Sequence, residues 1–236
     1  MLTAETLSIP RRFNGPLHSG NGGYSSGIVA GLLGGTAEVT LRRPVPLDTD
    51  LDIERCADGS VRLIDGCAVI AEGRETDGFE LEVPDPVTIE EARAASERHV
   101  APSDGLFSRC FVCGLAREDA FGVTAGMVDG RDVAATPWTP PAWTADHDGH
   151  VRPEFVWAAL DCPTYFALYP DGSMPLSFLA RMTARIGAPI VAGREHVVMA
   201  WPVEIDGRKH HAGAAVVSAE GEVLAVAKAL LIAPRP

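Results

Sequence analysis

Aliphatic and β-branched residues gather into two blocks whose local pattern predicts antiparallel strands. The first runs through Val39–Leu47, Leu51–Arg55 and Val61–Ala71. Ala57-Asp58-Gly59-Ser60 supplies a hairpin turn, because Asp-Gly tolerates positive φ. The second runs through Ala180–Ile186, His196–Ile205, His211–Ser218 and Val223–Ile232, with turns at Asp206-Gly207 and Glu220-Gly221. Strands joined by such tight turns are antiparallel. A helix is predicted ahead of each block. Gly23–Leu33 sets Ile28, Val29, Leu32 and Leu33 at helical spacing among small residues. Pro153–Leu168 does the same with Phe155, Val156, Ala159, Leu160 and Phe166, and Pro153 suits a first helical turn. Neither helix is charged over its middle, so both are expected to be buried on most sides. Pro163 predicts a kink, or a late helix start near Asp161.

The two halves look like copies. At an offset of 143 residues, Thr40-Leu-Arg-Arg-Pro-Val-Pro-Leu47 aligns with Thr183-Ala-Arg-Ile-Gly-Ala-Pro-Ile190, sharing Thr, Arg and Pro. The shared order of buried helix and antiparallel meander is harder to obtain by chance than three matches. Between them, Pro84–Val100 carries two prolines and the charged run Glu90–Arg98, a linker with a short exposed helix. The expected division is 1–85, linker 86–104, and 105–236.

Two segments resemble a known superfamily. Phe13-Asn-Gly-Pro-Leu-His-Ser-Gly-Asn-Gly-Gly-Tyr24 resembles the glycine-rich approach to the central helix of thioesterase-like hotdog proteins of the phenylacetate-pathway type. Arg152-Pro-Glu-Phe-Val-Trp-Ala-Ala-Leu-Asp-Cys-Pro163 resembles the matching helix of a second hotdog, with Asp161 at its acidic position. The first segment departs from the simplest pattern, Asn-x-His-Gly-Gly, by placing Ser19-Gly20-Asn21 between His18 and Gly22-Gly23. The resemblance implies an α+β double hotdog, two central helices each wrapped by an antiparallel sheet. It also implies acyl-thioester ligands, usually acyl-CoA or an acyl carrier, and frequently their hydrolysis. It further places Asp161 across the interface from the glycine turn of the first half.

Composition narrows the function classes. A net charge of −12 argues against a general nucleic-acid binder. No apolar run approaches the ~18 residues of a membrane span. Met1–Arg12 lacks the basic-then-apolar order of a secretory leader, and five cysteines in 236 residues do not suggest a disulfide scaffold. A cytoplasmic protein is expected. The exposed edges of a hotdog sheet suggest a homo-oligomer. Gly22–Gly27 lacks the lysine of a phosphate-cradling loop, and no cofactor is expected.

Thioester hydrolysis needs a polarised carbonyl and an activated water or a nucleophile. Gly22 and Gly23 at a helix start offer unobstructed N–H groups near the positive dipole end, or simply allow close helix packing. Asp161 stands alone in an apolar stretch, as general base or nucleophile, or as a helix carboxylate bonded to a backbone N–H. His18 could orient water or bond a loop carbonyl, and Asn21 could hold the thioester oxygen or cap the helix. Tyr24 and Trp157, with Ile28 and Leu32, are candidates to contact substrate. Arg42, Arg43, Arg181, Arg185, Arg208 and Lys209 could meet a CoA phosphate. Pairing His18 with Asp161 would instead suit a hydratase or dehydratase, and a non-catalytic acyl-CoA-binding protein is a third class. Cys110-Phe-Val-Cys113 offers two thiols where structural zinc needs two more ligands, and His99, Cys56, Cys67 and Cys162 have no diagnostic spacing from it; zinc and a redox pair are the alternatives, and a loop with buried thiols and no metal is expected. His147 to His150 reads as a loop, and His210-His211 as solvated strand residues facing opposite ways. The stretch Pro137–Trp143 covers core edges or forms a flap.

Overall fold

Helix α1 (Gly22–Ala30) begins where the Asn21 side-chain oxygen accepts the Tyr24 N–H at 2.8 Å, a cap that satisfies one of the orphan donors of the first turn. It ends three residues earlier than its apolar pattern suggests. Leu32 and Leu33 follow in tightened i→i−3 turns leading to Gly34 and Gly35. Helix α3 (Pro153–Leu168) runs unbroken through Pro163, neither kinked into two helices nor starting late. Burial of nearly every residue from Phe155 to Leu168 offsets the lost proline hydrogen bond, which costs about 3 kcal/mol in an exposed helix.

The computed structural model describes residues 5–101, 105–171 and 177–234. Residues 102–104 of the expected linker, and the first four residues of the segment compared with a secretory leader, lie outside them. The strands of the first half are β1 (Thr6–Leu7), β2 (Ala37–Leu41), β3 (Leu51–Arg55), β4 (Val61–Asp65) and β5 (Ala68–Glu75). Helix α2 (Ile89–Ser96) follows. Next come β6 (Gly126–Met127), β7 (Ala134–Trp138), β8 (Phe178–Ile186), β9 (His196–Asp206), β10 (Lys209–Val217) and β11 (Val223–Ile232). Two strand expectations need correction. Val39–Leu47 stops pairing at Leu41, ahead of Pro44 and Pro46, which have no N–H for the ladder. Val61–Ala71 is two strands, because Gly66 at φ +59° reverses the chain and Asp65 pairs with Ala68.

The strands form one antiparallel sheet in the order β1-β3-β4-β5-β2-β8-β11-β10-β9-β7-β6. Each half contributes a helix and then four strands, of which the last three form the expected meander, while the first crosses over to pair with the last: β2 with β5 and β8 with β11. These first strands, β2 and β8, meet each other at the centre, with Glu38 opposite Thr183 and Thr40 opposite Arg181. Helices α1 and α3 pack together on one face of the sheet, α1 over β2 and β5 and α3 over β9 and β10, whose Val198, Ala200, Ala212, Ala214 and Val216 belong to the same core. The alternate positions Val197, Met199, Trp201, Ala215 and Val217 face the other way. There they meet α2, whose Ala92 and Ala95 are fully buried, so the linker helix is docked rather than exposed. Both faces of β9 and β10 are therefore covered, which is why those strands read as nearly continuous apolar runs. No described helix is long and apolar enough to cross a membrane.

The helix pair touches through glycine. A Cβ on Gly23 would lie 2.4 Å from the Trp157 carbonyl oxygen, and one on Gly27 would lie 2.6 Å from the Glu154 Cα. Positions 23 and 27 share one face of α1, so the backbones themselves are in contact. Helix propensity alone would make Gly27→Ala stabilising by about 1 kcal/mol. The contact predicts the reverse, a loss of about 1–3 kcal/mol from overpacking, read as a lower denaturation midpoint. A raised midpoint would refute the contact.

His196 predicts a pH dependence. It is buried, with Nδ1 2.9 Å from the Arg194 carbonyl oxygen, and burial lowers its pKa. The unfolded chain then binds a proton near the ordinary imidazole value of about 6.5, and the folded chain resists it until lower pH. Its contribution to stability is complete above that value and is lost as pH falls below it. Denaturation midpoints of wild type and His196→Gln measured from pH 8 to 5 should converge toward acid. Parallel curves would rule the effect out.

Candidate functional site

The N-terminus of α1 meets the middle of α3 at the wall of a cavity of about 740 Å³. Asp161 on α3 is the meeting point. Its Oδ2 accepts the Gly23 N–H at 2.8 Å and the Asn21 side-chain amide at 3.3 Å. Asn21 therefore bridges the two helices, its oxygen capping α1 while its nitrogen reaches the carboxylate. Gly22, the first residue of α1, lines the cavity, and its N–H has no acceptor among the described residues. A Cβ there would come within 3.2 Å of Asp161 Oδ2 and 3.0 Å of Leu179 Cβ, so glycine keeps the space beside the carboxylate open.

Burial pushes the Asp161 pKa up to about 7, and charge on the neighbouring Cys110 adds to the rise. The Gly23 N–H and the Asn21 amide oppose it by stabilising the ionised form. A carboxyl group so placed exchanges protons near neutrality, as a general base requires.

Asp161 is bonded to a backbone N–H and also lines a cavity; Asn21 is both helix cap and carboxylate partner. Gly23 serves close packing, and its N–H is already given to Asp161, leaving Gly22 as the free amide of the turn. His18 lines the cavity but is exposed and makes no hydrogen bond to Asp161 among the described residues. Tyr24 and Trp157 are not on the cavity wall. Tyr24 stacks on Phe13 with ring centroids 4.2 Å apart, and Trp157 backs onto Gly23 and Gly27. Ile28 and Leu32 pack against the core away from the cavity.

The apolar wall comes instead from Phe107, Tyr165, Phe166, Phe178, Leu179 and Leu231. These sit on the far end of α3, on β8, on β11 and in the loop after α2, positions with no shared sequence motif. Arg42, Arg43 and Arg208 also line the cavity. Arg42 is paired with Glu72 at 2.6 Å and Arg208 bonds the Ala233 carbonyl at 2.8 Å. Arg181 lies by Glu38 and Thr40 on the sheet, apart from the cavity.

Three thiols stand against the same wall. Cys110 and Cys113, from the loop after α2, meet Cys162 on α3, with Cys110 Sγ 3.8 Å from Cys162 Sγ. Donors to its sulfur, first the Cys113 and Cys162 thiols and then backbone N–H groups, hold Cys110 well below the usual thiol range. The other two are held well above it, chiefly by donation to Cys110. Spacing could not foretell this meeting, which joins residues 52 positions apart. His210 also departs from expectation: it is buried and bonded to Tyr169 and to the Gly207 carbonyl, while His211 is only partly buried. Asp146, His147 and Asp148 are exposed. Trp143 lies under the Arg12 guanidinium at 4.5 Å, covering the Phe13–Phe155 aromatic cluster away from the cavity.

No family model and no curated protein matches this chain. Solved structures do. A conserved protein of unknown function with a hotdog fold, from Alicyclobacillus acidocaldarius, has a TM-score of 0.64 and 11% identity, covering 98% of this chain and 93% of its own. An acyl-CoA thioesterase II from Mycobacterium marinum has a TM-score of 0.58 and 11% identity, over 97% and 92%. The tesB protein of Mycobacterium avium subspecies paratuberculosis has a TM-score of 0.59 and 12% identity, over 97% and 91%. The chain has the hotdog fold along nearly its whole length.

Asn21 joins cap and carboxylate, so Asn21→Ala should cost about 1–2 kcal/mol, in the range of a lost helix cap. Chemical denaturation checks this; an unchanged midpoint would mean that the cap contributes nothing to holding α1.

Proposed function

We propose that the protein is a double hotdog enzyme that hydrolyses an acyl thioester, with Asp161 as general base. The observation that carries this is the Asp161 carboxylate, pinned by the Gly23 N–H at 2.8 Å on a cavity wall beside the unpaired N–H of Gly22. The repeated helix-and-meander halves, joined at β2 and β8, support the double arrangement. The likeness to an acyl-CoA thioesterase II supports acyl-CoA as the form of substrate.

Each residue has a definite task. Asp161 takes a proton from water as the oxygen attacks the thioester carbonyl carbon. The Gly22 N–H, at the positive end of α1, receives the negative charge that develops on the carbonyl oxygen. Collapse breaks the carbon–sulfur bond, and the departing thiolate recovers the proton held by Asp161. The products are one acid and one thiol. Asn21 positions the carboxylate rather than touching the reacting atoms. The acyl group lies against Phe107, Phe166, Phe178 and Leu179, and Arg43, exposed beside the cavity, meets the phosphates of CoA.

Thiol release from a panel of short, medium, long and aromatic acyl-CoAs tests the assignment. Wild type should turn over at least one member. Asp161→Asn, with an unchanged circular dichroism spectrum, should lower kcat by about 10²-fold or more, as for a lost acid–base group. Unchanged turnover in the variant would reject Asp161. Loss of enoyl-CoA absorbance without thiol release would replace hydrolysis by hydration.

A further inference from the structure

We propose that Cys110, Cys113 and Cys162 form a binding site for one thiophilic divalent cation, zinc foremost, with a fourth coordination position left open. The three sulfurs all lie within 4.8 Å of one another, and among the described residues no histidine nitrogen or carboxylate oxygen joins the group. A tetrahedral zinc site with bonds of about 2.3 Å to sulfur has sulfurs about 3.8 Å apart. Cys110 and Cys162 already stand 3.8 Å apart, on two separate parts of the chain.

The local backbone is built for a bound thiolate. The Val112 N–H points at Cys110 Sγ at 3.4 Å. The turn is closed by the Gly114 N–H, which donates to the Cys110 carbonyl at 2.8 Å. A Cβ on Gly114 would lie 2.4 Å from that carbonyl oxygen, so Cys110-x-x-Cys113-Gly114 requires its glycine to curl this tightly. The Asn21 amide nitrogen lies 3.9 Å from both Cys110 Sγ and Cys162 Sγ, the outer-shell donor that thiolate ligands commonly have.

The position is also fixed from outside. Phe111 donates its N–H to the Asn14 carbonyl at 3.0 Å, and Phe121 and Val123 bond back to Phe111 and Val112. Arg117 clamps the loop to the first half through the Asn14 side chain at 2.8 Å and the Arg12 carbonyl at 3.0 Å. The cysteine loop is thus held against α3 without the ion, a prearranged cage rather than a loop that must fold around a metal. Three thiolates and one open position match the pattern of zinc sites that keep an exchangeable ligand, here facing the cavity that all three cysteines line. A bound cation replaces the thiol protons and is held by all three sulfurs.

The test uses the full chain, purified without chelators or a histidine tag, under reducing conditions. Elemental analysis after incubation with Zn²⁺ and desalting should find about one zinc per chain, and Cys113→Ser and Cys162→Ser should each lower it at least about tenfold. Cys67→Ser should retain it. Cobalt substitution should give a thiolate-to-cobalt charge-transfer band in the near ultraviolet, present in Cys67→Ser and lost in Cys113→Ser. For wild type alone, a chelator should lower Tm and Zn²⁺ should restore it, a readout that needs no variant to fold. Wild type that takes up no zinc and shows no cobalt band overturns the site. So does a Cys110–Cys162 disulfide, two hydrogens lighter by mass spectrometry, as the form isolated under reduction. None of these readouts depends on thioester hydrolysis, so the site stands or falls apart from that activity.

Discussion

The contact between the α1 and α3 backbones is the constraint on which the rest depends. With no Cβ at Gly23 or Gly27, the helices approach until the Trp157 carbonyl and the Glu154 Cα fill the space that side chains would take. Only at that separation does the Gly23 N–H reach Asp161. The same contact hides the uncharged middles of both helices, which neither could expose to water. The packing of the helix pair and the placing of Asp161 are therefore set by the same glycine-lined contact.

The cost of this arrangement falls on Asp161. A carboxylate in such surroundings loses most of its hydration, and its two amide partners return only part of it. The chain carries a net charge of −12, so no global field favours one more buried negative charge. A simple structural role would be filled more stably by an apolar residue of similar size. That imbalance, together with the open space that Gly22 preserves beside the carboxylate, is what the proposed proton-transfer role of Asp161 would account for.

Much of the scaffold was legible in the sequence. Pro153 and the run of small and apolar residues around it marked α3, and Asp-Gly turns marked the hairpins. Asp161 stood out because a lone carboxylate in an apolar helix has few uses. The faces of the helices were not legible. A helix buried on every side has no polar stripe, so nothing indicated that Tyr24 and Trp157 point into the core instead of the cavity. Asp65-Gly66 carries the same turn signal as the other hairpins, set between aliphatic residues that read as one strand, and the docked face of α2 rests on Ala92 and Ala95 with Ile89 at its edge, too few apolar positions to stand out. Cys162 could not be joined to Cys110 and Cys113 by spacing, since their meeting depends on how the loop after α2 returns to α3. His18 carried the same weight as Asn21 in the sequence, yet one is exposed and the other is fixed between two helices.

The lining of the cavity at the N-terminus of α1 comes from both halves: Asn21 and Gly22 from one, Asp161 from the other. The measurement that addresses this most directly is a single turnover of an acyl-CoA substrate in ¹⁸O-labelled water, with the released acid analysed by mass. If Asp161 activates water, the acid formed in the first turnover carries one labelled oxygen. An unlabelled first-turnover acid would show direct attack by an enzyme carboxylate, and no acid at all would contradict hydrolysis at this site.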